Sequence, residues 1–190
     1  MRWLILYARS RQVPTSAAAV ALVALTAWAF HQDGTGPMNL GIAVLILTAN
    51  VAAASVGLGG RDISLDRTAA IRWIPRRAAH VLVAGAVAGT ALLAVQGAGA
   101  KFAPAALILR DSAGLVGLAA LGAVLCGAQF AWTLPVGWLA FTLLVPIPPG
   151  IAGEVSGWMI ITPATTASAT TAWALLATGT VLYAAAGPRR

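Results

Sequence analysis

"LGIAVLILTANVAAASVGLGGRDISLDRTAAIRWIPRRAAH", residues 40–80, decides the fold. Residues 40–58 carry no charge. As a helix they reach roughly 28 Å, close to the bilayer's hydrocarbon core of about 30 Å. Residues 59–80 then hold Arg61, Asp62, Asp66, Arg67, Arg72, Arg76 and Arg77, seven of the seventeen charges in the chain. An apolar run of spanning length that ends in concentrated positive charge reads as a membrane helix leaving the bilayer.

The rest of the chain repeats that pattern. Hydrophobic residues make up 59% and charged residues 9%, whereas soluble domains carry about a quarter charged residues. There is too little polar surface here to cover a soluble core. The fold class is therefore an all-α integral membrane protein, one transmembrane domain over residues 1–190. Six apolar segments fall at 14–31, 40–58, 79–97, 104–127, 131–148 and 169–186. "HQDGTGPMN" at 31–39, the 59–80 stretch and "QGAGAKFAP" at 96–104 separate the first four. Only the short, uncharged "CGAQFAWTLP" (126–135) divides the fourth from the fifth, and it demands a tight turn.

Ten of the twelve basic residues collect on one side of this layout. Arg2, Arg9 and Arg11 precede the first span; Arg61, Arg67, Arg72, Arg76 and Arg77 lie between the second and third; Arg189 and Arg190 follow the sixth. The other side has Lys101, with Arg110 just inside a span. Basic residues mark the cytoplasmic face, so both termini and the 59–80 loop are assigned there. Trp3, Trp73 and Trp132 fall at inner boundaries and Trp28 and Trp173 near outer ones, as an interfacial belt requires. The run from Pro14 to Phe30 is long for a signal-peptide core, and its removal would leave an odd number of spans; it reads as a retained helix. "RWLILYARSRQ" before it reads as a short interfacial helix. Between spans five and six, "PIPPGIAGEVSGWMIITPATTASATTAW" is too long for a tight turn. It either dips partly into the bilayer from outside, which requires protein or water around its backbone, or lies on the surface.

Enzymatic patterns are missing. The sequence has neither a GxxxxGK[ST] loop nor HExxH. His31 and His80 fall at opposite faces, where they cannot share a metal, and Cys126 is the one cysteine, read as an apolar packing residue. The sequence pI of about 11.4 follows from the cytoplasmic arginines and does not call for nucleic acid.

Three features stand out. Arg110 and Asp111 are the charged neighbours inside a span, and intramembrane charges face a bundle interior or a wet cavity. They mark a pathway or a subunit interface, or else a helix that begins later and leaves them among headgroups. Side chains one residue apart on a helix point about 100° apart, so each is expected to find its own partner. Gly85 and Gly89 in "GAVAG" form a GxxxG that allows close helix approach. In the charged loop, Asp62 and Asp66 open a plausible helix through "LDRTAAIRW", where the helix dipole favours acids, and Pro75 is expected to end it. Topology accounts for the arginines of this loop; its length and its early acids fit docking to a soluble partner.

These elements together resemble the membrane subunit of an ABC-2-type (type V) ABC transporter, the small actinobacterial variety. The resemblance rests on the N-terminal helix, the six spans, "LDRTAAIRWIPRRAAH", "LRDSAGLVGLAALGA" opening span four, "AWTLP" opening span five and the closing "TAWALLATGTVLYAAAGPRR". It implies a permease in the bacterial plasma membrane, with a cytoplasmic coupling helix between spans two and three and re-entrant structure before span six. Asp62, Leu65, Asp66, Arg67 and Thr68 would seat on a separate ATPase subunit. ATP and Mg would be held there and not by this chain, and a second permease subunit, alike or different, would complete the path. The apolar spans fit a hydrophobic or amphipathic cargo, and export is the commoner task in that family. An accessory or scaffold membrane protein and a small channel or secondary carrier are the other classes.

Overall fold

The computed structural model describes residues 13–31, 39–58, 73–99 and 103–189. All regular structure among them is helical. Helix α1 is Val13–His31, α2 Leu40–Ser55 with a 3-10 turn Val56–Leu58, and α3 Trp73–Gly97. Helix α4 is Ala105–Leu125, followed by a 3-10 turn Ala128–Phe130; then come α5 Thr133–Leu144, α6 Ile151–Ser156 and α7 Thr166–Ala186. Among the described residues, four stretches are long and apolar enough to cross a membrane: Leu40–Leu58, Trp73–Gly97, Ala105–Leu125 and Thr166–Ala186. Pro14–Ala29 and Ala128–Leu144 are shorter apolar helical stretches. The chain has the helices of a membrane protein. Residues 2–12 and 59–72, with the interfacial helix and Asp62, Leu65, Asp66, Arg67 and Thr68, lie outside the described residues.

Local chemistry explains the boundaries. Asn39 begins α2 by accepting a bond from the Gly41 amide at 2.9 Å, relieving one of the helix's unpaired N-terminal donors. Helix α3 starts six residues before the expected 79, and Pro75 lies inside its first turn. That is where a missing N–H and a fixed φ cost nothing, so Pro75 opens this helix where the sequence reading had it ending an earlier one. Gly127, at φ +102°, and the 3-10 turn after it make the tight α4–α5 link; a positive φ of this kind suits a residue without Cβ.

The fifth segment departs most from expectation. Predicted over 131–148, its helix covers Thr133–Leu144, twelve residues, or about 18 Å at helical rise. Val145 is extended (φ −100°, ψ 128°) because Pro146 follows and disfavours α geometry in its predecessor. After the Pro-rich turn, α6 folds back beside α5, and the Trp138 Nε1–H donates to the Ser156 carbonyl at 3.0 Å. The chain next delivers Trp158 and Met159 into the core, both fully buried. Thr165 and Ser168 then form a reciprocal capping box that starts α7.

The core centres on α4. Some 78% of its apolar window is buried against 22% for α7, so α4 is enclosed and α7 lies on the outside of the bundle. Between apolar helices in lipid there is no water to expel, and association relies on close packing and hydrogen bonds. Gly117 and Gly179 supply the packing. A Cβ at Gly117 would strike the Leu175 and Leu176 backbone, and one at Gly179 would strike the backbone of Gly117. The two helices touch main chain to main chain.

Candidate functional site

Two polar assemblies stand at opposite ends of the α4–α7 pair. At the end where α4 and α7 begin, Arg110 and Asp111 are 5% and 0% exposed. Arg110 Nε donates to Asp111 Oδ1 at 2.7 Å. The expectation of separate partners is corrected for this pair: the long arginine stem spans the angle between neighbouring positions, and the nearest acceptor is the adjacent carboxylate. The remaining donors reach other elements. Nη1 donates to the Ile161 carbonyl at 3.0 Å and to Ser168 Oγ at 3.4 Å, and Nη2 to the Met159 carbonyl at 3.4 Å. One guanidinium thus holds together α4, the turn after α6 and the first turn of α7.

Asp111 keeps the guanidinium charge compensated inside the protein, where an unpaired charge is costly. Its Oδ2 is buried and has no hydrogen-bond partner. One turn along α4 from Arg110, the Trp158 ring lies directly on Gly114, in space that any side chain at 114 would occupy. Arg110 and Trp158 therefore fix the same short segment by hydrogen bonding and by shape.

At the other end, the last turn of α2 leads into residues 59–72. Helix C-termini leave carbonyls without intrahelical partners, and here two consecutive ones receive side-chain donors. The fully buried Tyr183 of α7 donates its hydroxyl to the Leu58 carbonyl at 2.6 Å. His80 of α3 contacts the Gly57 carbonyl through Nε2 at 2.8 Å, an arrangement in which Nε2 carries the proton. The α7 terminus is itself tied to α4, since Arg189 donates from its backbone N to the Ala123 carbonyl at 3.0 Å and from Nη1 to the Leu125 carbonyl at 3.3 Å. The chain enters the 59–72 stretch from a point braced by α3 and α7, and it returns directly into α3.

Between the two ends, Asn50 of α2 donates from Nδ2 to the Ala88 carbonyl of α3 at 3.0 Å. Gly85 and Gly89 face α4: a Cβ at 85 would come within 2.8 Å of Val116 Cγ1, and one at 89 within 3.0 Å of Ser112 Oγ. Of the residues singled out in the sequence, the structure brings Arg110 and Asp111 into one assembly and sets Gly85 and Gly89 along the α3–α4 seam. The residues expected to dock, in the 59–72 loop, lie outside the described residues.

Sequence reasoning missed Tyr183, Ser168 and Trp158 as organising residues. Tyr183 carried a readable signal, because a phenol buried near the end of an apolar helix needs an acceptor for its hydroxyl. The acceptor itself, a backbone carbonyl, has no signature in side-chain sequence. No family model, curated protein or solved structure matches this chain.

Proposed function

We propose that the chain is the membrane-spanning subunit of an ATP-driven transporter of the ABC-2 type, working with a separate cytoplasmic ATPase. The observation that carries this reading is the bracing of the loop exit. A loop that receives force from a partner must be attached stiffly to the helices it moves. The carbonyls of Gly57 and Leu58, immediately before the charged loop, are held by His80 and Tyr183 from two further helices. The α4–α7 pair leads from there to the Arg110 assembly at the opposite end, so one stiff unit joins the loop exit to the α6 turn. On this reading α1 and α5 complete six membrane segments, the α5–α6 hairpin is the re-entrant element, and Asp62, Leu65, Asp66, Arg67 and Thr68 form the docking helix. Arg110 and Asp111 act as an internal clamp on that hairpin. Direction (export) and a hydrophobic or amphipathic cargo belong to the same proposal.

Co-expression with soluble Walker A proteins of the same genome, followed by purification through this chain, tests the reading. An ATPase is expected to copurify and to drive ATP-dependent movement of cargo in vesicles. Both should be lost on charge reversal with Asp66→Arg and Arg67→Asp. Retention of ATPase binding and transport in that double variant would rule out docking at this loop.

A further inference from the structure

We propose that the basic end of the bundle holds the headgroup phosphate of an anionic phospholipid, with Arg77 as its principal ligand. Arg77 is half-buried in the early turns of α3. Its guanidinium lies against Gly187, just past the end of α7, where a Cβ would come within 2.8 Å of Nη1 and 2.9 Å of Cζ. Gly187 is at φ +73°, so both its backbone conformation and the guanidinium above it exclude a side chain. The guanidinium therefore packs directly against the Gly187 backbone.

It is nevertheless unsatisfied. Nε is buried with no hydrogen-bond partner, and no acceptor for the other donors is found among the described residues. A guanidinium presents five donors in a planar fork matched to carboxylate or phosphate oxygens. The surroundings add positive charge: Arg189 is two residues beyond the Gly187 that it touches. Helix α3 has no acid in its first turn, although a helix N-terminus favours anions and disfavours cations. The acids among the described residues are Asp111 and Glu154. Asp111 is fourteen residues from the Leu125 end of α4, about 21 Å away, and Glu154 lies in α6 beyond the opposite end of α5.

The choice of lipid over other anions comes from the position of the cluster. It sits at the ends of spanning-length helices, beside the half-buried Trp73 and the exposed Phe130 and Trp132. Aromatic side chains of this kind settle at headgroup level. Basic residues there attract anionic lipid. A fork fixed at that depth meets a phosphate already confined to the same plane. The site does not depend on ATP-driven transport.

Thermal unfolding of the purified full chain in nanodiscs tests this. Discs of phosphatidylcholine alone are compared with discs of three parts phosphatidylcholine to one part phosphatidylglycerol. Preferential binding to the folded state is expected to raise the midpoint by about 2–4 °C in the anionic discs. Arg77→Gln should abolish most of that rise, and Arg77→Lys, which keeps the charge without the fork, should retain part of it. Native mass spectrometry of the same variants provides a second readout, with co-purified phosphatidylglycerol lost from Arg77→Gln. An undiminished rise in Arg77→Gln would overturn the proposal. So would an equal rise from inorganic phosphate in neutral discs, which would make this a free-anion site.

Discussion

Tyr183 and Leu58 are 125 residues apart in sequence and are joined by a 2.6 Å hydrogen bond from phenol to carbonyl, with both residues fully buried. The bond ties the last turn of α7 to the 3-10 turn that follows α2. Tyr183→Phe removes the hydroxyl and keeps the ring, leaving the Leu58 carbonyl without its donor. A buried group stranded this way costs about 1–3 kcal/mol. Thermal unfolding in detergent should show the loss, and hydrogen exchange should speed up in residues 56–58. Unchanged exchange there would mean that the bond does not brace the loop exit.

Replacing Arg110 should be the most damaging single change in the polar set. Arg110→Gln leaves the Asp111 carboxylate buried without its cation and removes the donors to Met159, Ile161 and Ser168. Breaking a buried pair from one side costs about 3–5 kcal/mol. The double variant Arg110→Gln/Asp111→Asn should be less destabilised than the single Arg110→Gln, because it strands no charge. Denaturant unfolding of the three proteins gives the comparison, and simple additivity would contradict the pairing.

Gly117→Leu should abolish folding of the bundle, since its side chain would have to displace the backbone of α7 at Leu175 and Leu176. Gly137→Ala in α5 meets nothing within 4 Å. It should be neutral or stabilising by about 0.5–1 kcal/mol through helix propensity. Yield of monodisperse protein after size exclusion distinguishes the two.

Cys126 is exposed at the end of α4 and is the sole cysteine of the chain. It reports on orientation without engineering. If the basic residues mark the cytoplasmic face as expected from the sequence, a membrane-impermeant maleimide should label it in inverted vesicles and leave it unlabelled in intact cells. The reverse pattern would invert the topology.

Hydropathy located the four helices of spanning length among the described residues, because long apolar runs leave few alternatives to a bilayer. It misjudged the fifth, since Leu144, Val145 and Ile147 continue the apolar run while Pro146 and Pro148 end the helix. Composition and backbone geometry disagree there, and geometry decides. The clamp was half legible. Arg110 and Asp111 were conspicuous as charges within a span, but the partners of Arg110 beyond Asp111 are two carbonyls and a serine about fifty residues downstream. Carbonyls are identical at every position, so no pattern in the sequence could name Met159 and Ile161. Docking at the 59–72 loop is an expectation from its length, its early acids and the family resemblance, and the loop lies outside the described residues.

The main-chain contact between Gly117 and Gly179 also bears on how the protein is made. Helix α4 leaves the ribosome some sixty residues before Gly179, and until α7 arrives its glycine face has only lipid or the insertion machinery to rest on. Arg110 likewise waits for Met159, Ile161 and Ser168, all translated later. The enclosed helix α4 is thus completed by a segment synthesised well after it. A chain interrupted before Thr166 would expose both the glycine seat and a guanidinium short of acceptors. Those are features that membrane quality-control proteases can recognise, and truncated chains should be cleared more quickly than full-length ones.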